Sequence, residues 1–293
     1  PKRLDRTLRE QGLPGAEWLS RQAWDWLIER GHIAVNGRKA LKAGMNLSAG
    51  DEVRVSLPGS LGLKPSVPLE PIWRASDGSW AVFDKAVGID TVALLPWDHS
   101  AFASHVAAYA AREGLIFAEL AEPPSMEGGL VQRLDRDTSG LVSAAFSLEA
   151  KAKLRALFSG GKVQKCYDAL VIAPPSPGAH RVWLAKDSGA RVRAWKEAHA
   201  EAEEVFLNIE VYKNSQAGAW LRVSTSQGRR HVVRAGLAAL GAPLLGDTLY
   251  GGSPSAPFHQ LHAGELRFPG EARPIRSEPP PSFLDSAAHL GLH

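Results

Sequence analysis

The chain has 293 residues, 44% of them hydrophobic and 22% charged, which is enough to bury one large core and one small one. A net charge of only +3 says little about a polyanionic partner, and a single cysteine, Cys166, excludes an internal disulfide framework. No apolar run is long enough to span a bilayer, no charged-then-apolar leader opens the sequence, and no Cys/His cluster has zinc-ligand spacing, so the expectation is a cytoplasmic monomer with no membrane association and no metal.

Leu4 and Leu8 mark one face of a first helix that Gly12 and Pro14 bring to an end. Trp24, Leu27 and Ile28 mark a second helix, with Ser20 as its cap. Short strands follow at 33–35 and 53–55, and Asn36-Gly37 is a tight-turn signal. From Leu57 to Pro71 repeated proline and glycine forbid a continuous helix or a central strand, so residues 57–71 read as a linker between a domain at 1–56 and one at 72–293. Residues 1–60 carry ten Lys/Arg and seven Asp/Glu, so the whole net positive surplus lies in this first segment.

Beyond the linker, apolar strands are expected at Trp80 to Phe83, Leu141 to Phe146, Tyr167 to Ile172, Val205 to Tyr212 and Trp220 to Ser224. The last two, joined by Asn214 to Gly218, read as a hairpin. Helices are expected at about 100–113, 148–158 and 231–240, the last placing His231 and Arg234 three apart on one face. The fold class is α+β, with a mixed, largely antiparallel central sheet and a small N-terminal α/β domain. From Pro279-Pro280-Pro281 onward the chain reads as a loosely held tail.

The most informative stretch is Gln132-Arg133-Leu134-Asp135-Arg136-Asp137-Thr138-Ser139-Gly140, a carboxylate between two arginines ahead of an apolar run. Nearby positive charge favours the charged form of a carboxylate, which is then able to act as nucleophile or base. Thr138, Ser139 and Gly140 are turn formers that would fix the loop. Taken alone, the stretch also fits a solvated charged turn.

This stretch resembles the active-site loop of RluA-type pseudouridine synthases, His-Arg-Leu-Asp-x-x-Thr-Ser-Gly, departing at Gln132, where that family usually has His. Further segments resemble the same family in the same order: Lys165-Cys166-Tyr167-Asp168-Ala169-Leu170-Val171, Gly228-Arg229-Arg230-His231-Val232-Val233-Arg234, Gly246-Asp247-Thr248-Leu249-Tyr250-Gly251 and Leu261-His262-Ala263. Five weak matches in register carry what none carries alone. Val232 stands where the family usually has Gln, and Ala86 in Asp84-Lys85-Ala86-Val87-Gly88 stands for an expected proline. The first domain resembles the S-four RNA-binding domain through Ser20-Arg21, Val35-Asn36-Gly37 and Gly50-Asp51-Glu52-Val53.

The resemblance implies isomerisation of uridine to pseudouridine in structured RNA, ribosomal rather than transfer RNA, with no cofactor. It implies Asp135 as the essential carboxylate, Arg234 as the cation that pairs with it, and Tyr167 as the aromatic ring against the uracil. RNA contacts would come from Arg133, Arg136, Arg229, Arg230 and His231 in the catalytic domain. In the S-four-like domain they would come from Arg21, Arg38 and Lys39. Two other readings stand beside it: an RNA-binding or RNA-chaperone protein that has lost isomerase activity, favoured by Gln132, Val232 and Ala86, and a hydrolase built on Asp135 and Asp137.

Overall fold

The computed structural model describes residues 2–11, 19, 21–40, 42–56, 69–93, 100–116, 127–187, 189 and 191–293. The expected cap Ser20, the helix-ending Gly12 and Pro14, and most of the expected linker lie outside the described residues. The chain divides into two units, one formed by Pro1–Pro68 with Val92–Gly128 and one by Leu69–Thr91 with Gly129–His293.

The first unit contains β1 (Lys2–Arg3), α1 (Leu4–Gln11), α2 (Arg21–Glu29), β2 (Ile33–Val35), β3 (Arg38–Lys39), β4 (Asn46–Leu47), β5 (Val53–Val55) and α3 (Phe102–Arg112). Helices α1 and α2 bury Leu4, Leu8, Trp24, Leu27 and Ile28 against Ile33 and Val35 of the antiparallel sheet β3-β2-β5. The Asn36-Gly37 signal is realised: both residues have positive φ, +51° and +76°, as the two-residue turn between β2 and β3 requires. Asn36 tolerates that conformation because its side chain is anchored, its Nδ2 donating to Asp51 and its Oδ1 accepting from the Glu52 amide.

The second unit is built on one ten-stranded sheet. Its strands are β6 (Trp73–Arg74), β7 (Trp80–Lys85), β8 (Ser139–Ala145), β9 (Gln164–Val171), β10 (Gly178–Lys186), β11 (Val192–Trp195), β12 (Glu203–Asn214), β13 (Ala219–Thr225), β14 (Leu261–Arg267) and β15 (Ile275–Arg276). They lie in the order β11-β10-β12-β13-β9-β14-β8-β7-β6, with β15 paired to β14. Every neighbouring pair is antiparallel except β14 with β8. The fold is therefore the expected mixed, largely antiparallel α+β type.

Helix α4 (Leu148–Ser159) starts where the Ser147 hydroxyl accepts from the Ala150 amide, relieving one unpaired N–H of its first turn. Helix α5 (Val232–Ala239) lays Val232, Val233, Ala235 and Leu237 on the apolar residues of β9, β10, β12 and β13. On β12 the alternation is plain: Val205, Leu207 and Ile209 are buried while Phe206, Asn208 and Glu210 face outward. Among the described residues no helix is long and apolar enough to cross a membrane.

The tail expected after Pro279 is instead structured. Pro281 opens α6 (Pro281–His289), where its missing N–H costs nothing. Phe283, Ala287 and Leu292 are buried with Leu170, Trp220 and Leu245. The proline run hid an i, i+4 apolar pair, Phe283 and Ala287, that points one helix face at the sheet. Strands β10 and β11 were also outside the expected set, because His180, Arg181, Lys186 and Arg193 interrupt their apolar pattern.

Candidate active site

The loop preceding β8 carries Asp135, and hydrogen bonds within its own unit, to its backbone and to its side chains, fix it. The Thr138 amide closes a turn onto the Asp135 carbonyl at 3.0 Å. Thr91 clasps Leu134 from both sides, its hydroxyl donating to the Leu134 carbonyl at 2.6 Å and accepting from the Leu134 amide at 3.1 Å. Lys85, fully buried, spends its three N–H donors on the carbonyls of Ala86, Ile89 and Arg136. Burial lowers its pKa to about 8, against the pull of Asp137, Asp135 and Asp90. On the other side, Thr138 contacts buried His259 Nε2 at 2.7 Å and Ser139 contacts His262 Nδ1 at 2.9 Å.

Gly140 shows why this loop ends on glycine. Its φ is +112°, and a Cβ there would stand 2.4 Å from the Ala263 carbonyl oxygen, where β8 and β14 run side by side. No L side chain fits that approach.

Helix α5 delivers the counter-ion. Arg234, 7% exposed, donates from Nε and Nη2 to the two oxygens of Asp247 at 2.7 and 2.9 Å, and from Nη1 to Asp135 Oδ2 at 2.8 Å. Burial opposes the charge on Arg234, but the hydrogen bonds to Asp247 and Asp135 outweigh it and raise its pKa. The planar fork is thus used on both edges, which a lysine would be unable to imitate. Asp247 lies in the Gly246–Gly251 segment, yet its role was not legible there; the signal would have been a buried arginine in need of a second carboxylate.

His231 stands at the N-terminus of α5 with φ +55°, a left-handed conformation uncommon for a residue with a side chain. Its Nε2 lies 3.5 Å from Asp135 Oδ1, and its Nδ1 lies 2.8 Å from the Tyr250 hydroxyl. That hydroxyl also accepts from the Val192 amide at 2.8 Å, so Tyr250 ties the imidazole to β11. Burial lowers the His231 pKa despite the nearby Asp135 carboxylate, which fits a neutral ring. Strain at such a position is held by the surrounding structure, here the ring contacts with Tyr250 and Asp135.

Tyr167 on β9 lines an adjoining cleft of about 620 Å³ with Gln132, Arg133, Leu134, Lys165 and Arg229. Burial, then the nearby Asp135 charge, raises the pKa of its phenol, so it remains a neutral hydroxyl at physiological pH. Gln132 donates to the Leu141 carbonyl at 2.8 Å, while its Oε1 is buried with no hydrogen-bond partner among the described residues.

Of the expected site residues, Asp135, Arg234 and His231 converge within hydrogen-bonding or ion-pair range, with Tyr167 close by. Arg133 is exposed and lines the cleft. Arg136 turns away to Asp90 at 2.8 Å, Arg229 pairs with Glu203 at 2.6 Å, and Arg230 is exposed. In the first unit Arg21, Arg38 and Lys39 are exposed, Arg21 lying 3.8 Å from Asp25 on its own helix. Lys85, Thr91, Tyr250, His259 and His262 have parts in the site that the sequence did not assign.

Known proteins resemble this chain in sequence and in fold. Residues 106–239 match the family described as RNA pseudouridylate synthase. A ribosomal large subunit pseudouridine synthase D from Pseudomonas aeruginosa is 35% identical over 125 residues, a match covering 42% of this chain and 38% of that protein. An RNA pseudouridine synthase from Chlorobaculum parvum is 27% identical over 95% of this chain and 89% of its own length. In three dimensions, human RNA pseudouridylate synthase domain containing 4 superposes with a TM-score of 0.57 at 19% identity, covering 75% of this chain and 92% of the human one.

Proposed function

We propose that this chain is an RNA pseudouridine synthase of the RluA type, an isomerase, and that it converts uridine to pseudouridine in RNA with Asp135 as the essential carboxylate. The observation that carries the assignment is the Asp135–Arg234–Asp247 array. A partly exposed carboxylate next to the cleft-lining Leu134, gripped by a buried arginine that a second carboxylate locks in place, is a charge held ready and oriented, which RNA binding alone does not require.

The reaction breaks the bond between ribose carbon one and uracil nitrogen one, turns the base, and joins ribose carbon one to carbon five. The proton on carbon five is lost and nitrogen one gains one, so nothing is consumed. Asp135 takes part by attack on the anomeric carbon, by attack on carbon six, or by assisting loss of a ribose proton. Tyr167 offers the base a flat aromatic face and a neutral hydroxyl. Arg234 fixes the direction of Asp135 throughout, and His231 supports its second oxygen. The cleft walls keep the detached uracil next to the sugar, so rejoining proceeds at high effective concentration.

A uridine in folded RNA must leave its stack, which costs a few kcal/mol, and Arg133 at the mouth of the cleft is placed to fill the gap. The domain at 1–56 is taken as an S-four-like RNA-binding module, with Arg21, Arg38 and Lys39 on phosphates. Large-subunit ribosomal RNA is proposed as the substrate, in line with the name of the Pseudomonas aeruginosa relative. The test is incubation of the purified protein with unmodified large-subunit ribosomal RNA transcript, followed by chemical mapping of pseudouridine. Wild type should produce a discrete modified position, and Asp135→Asn should bind the RNA equally but produce none. Full activity in Asp135→Asn would remove Asp135 from its role.

A further inference from the structure

Lys165 stands two residues before Tyr167 on β9. Alternate residues of a strand share a face, so its side chain enters the same cleft as the phenol ring, about 7 Å further along the strand. It is only 6% exposed, yet among the described residues its ammonium makes no hydrogen bond and no ion pair. Its cross-strand neighbours are Thr225 and Leu266, neither of them acidic. Burial alone lowers its pKa, to about 8, with no carboxylate pulling the other way. Glu203, the one acidic side chain lining the cleft among the described residues, is paired with Arg229.

The contrast with Lys85 is instructive. That lysine is equally buried, and each of its donors meets a carbonyl, as a desolvated ammonium requires. Lys165 is largely buried with no protein partner among the described residues, its ammonium open to the cleft beside the ring that would hold the base. Gly228 keeps the space above it clear, since a Cβ there would lie 3.1 Å from the Lys165 Nζ. A buried cation with an unfilled donor set, open to a cleft, calls for an incoming anion. The offset from Tyr167 is comparable with the reach from a nucleobase to a phosphate of its own strand.

We propose that Lys165 is a phosphate-binding residue of the cleft, donating to a backbone phosphate oxygen of the RNA beside the uridine held at Tyr167. This rests on the reading of the cleft as a uridine site. In this role the phosphate supplies the missing counter-charge on binding, and the lysine sets how deeply the strand enters.

The experiment measures affinity for the large-subunit transcript as a function of salt, with full-length protein in the Asp135→Asn background so that the substrate is not consumed. Turnover is measured separately with Asp135 intact. Lys165→Gln should weaken binding about tenfold and reduce the slope of log affinity against log salt by about 0.7 to 0.9, the signature of one lost phosphate contact. The turnover loss should fall on KM more than on kcat, and Lys165→Arg should restore most of the affinity and the slope. Free Lys165→Met protein should melt at or above the wild-type temperature, because it removes an uncompensated buried charge. Unchanged affinity and slope in a folded Lys165→Gln would overturn the assignment. So would a kcat loss at saturating RNA with the slope intact, which would make Lys165 a proton-transfer group. Absence of pseudouridine with wild-type protein defeats the uridine reading; pseudouridine formation with an unaltered slope in Lys165→Gln defeats only the phosphate site.

Discussion

Arg234 reaches Asp135 across 99 residues of chain and is itself held by Asp247, whose side chain is only 1% exposed. The partly exposed carboxylate and the carboxylate in the core therefore share one guanidinium, and neither can be altered without disturbing the other.

The first prediction follows from this sharing. Arg234→Leu leaves Asp247 buried and unpaired, at a cost of about 3–5 kcal/mol in unfolding free energy, besides abolishing turnover. Arg234→Lys keeps the charge but not the fork, so both losses should be intermediate. Adding Asp247→Leu to Arg234→Leu should restore much of the stability while activity stays absent. Urea unfolding alongside pseudouridine mapping separates the two effects; recovery of activity in the double variant would show that Arg234 serves only Asp247.

Gly140→Ala should be among the most damaging single-methyl changes in the protein. The substitution combines φ +112° with a 2.4 Å approach to the Ala263 carbonyl, so β8 and β14 must move apart. A destabilisation above about 2 kcal/mol is expected, with activity lost at temperatures where the variant is still folded, because the Asp135 loop hangs from this junction. A variant with wild-type turnover and melting temperature would contradict the close packing at that point.

Acid should loosen the Asp135 loop through His259. Burial first, and then the charge of Arg234, lowers its pKa from 6.5 to about 4. As pH falls below about 6.5 the unfolded chain takes up this proton while the folded protein refuses it. The contribution is therefore complete above pH 6.5 and is lost progressively down to about pH 4, amounting to at most about 3 kcal/mol. His259→Gln, which retains a partner for Thr138, should flatten that part of the stability curve; chemical unfolding of both proteins at pH 4.5, 5.5 and 7.5 measures the difference.

Charge reversal in the first unit tests the proposed RNA module. Arg38→Glu with Lys39→Glu should weaken RNA binding and lower its salt dependence by roughly one to two phosphate contacts. Since both side chains are exposed, the melting temperature should stay within a degree or two. Unaltered affinity would place the RNA elsewhere.

Much of this was legible in the sequence where local chemistry decides the outcome. Asn36-Gly37 demanded positive φ at both positions and received it, and the strands at 33–35 and 53–55 have the expected bounds. The Asp135 loop was singled out from its two flanking arginines, and its pairing with Arg234 was expected from the family resemblance. What escaped was set by contacts distant in the chain. His259 is one side chain with no neighbouring pattern, Tyr250 stands in a matched segment that gave it no role, and their meaning comes from Thr138 and His231, which lie 121 and 19 residues away. Lys85 reads as a surface charge until the fold buries it. Helix α6 was lost behind prolines that in fact begin it.

The position of β14 in the sheet sets the order in which the molecule can become active. Residues 261–267 fill the slot between β9 and β8, and they are nearly the last of the sheet to be synthesised. Until they arrive, Ser139 and Gly140 lack His262 and Ala263, and Thr138 lacks His259. A growing chain on the ribosome thus carries Asp135 for well over a hundred residues without the frame that aims it. The frame of the Asp135 loop is deferred to a single late closure spanning long loops, a slow step by topology, and incomplete chains lack it.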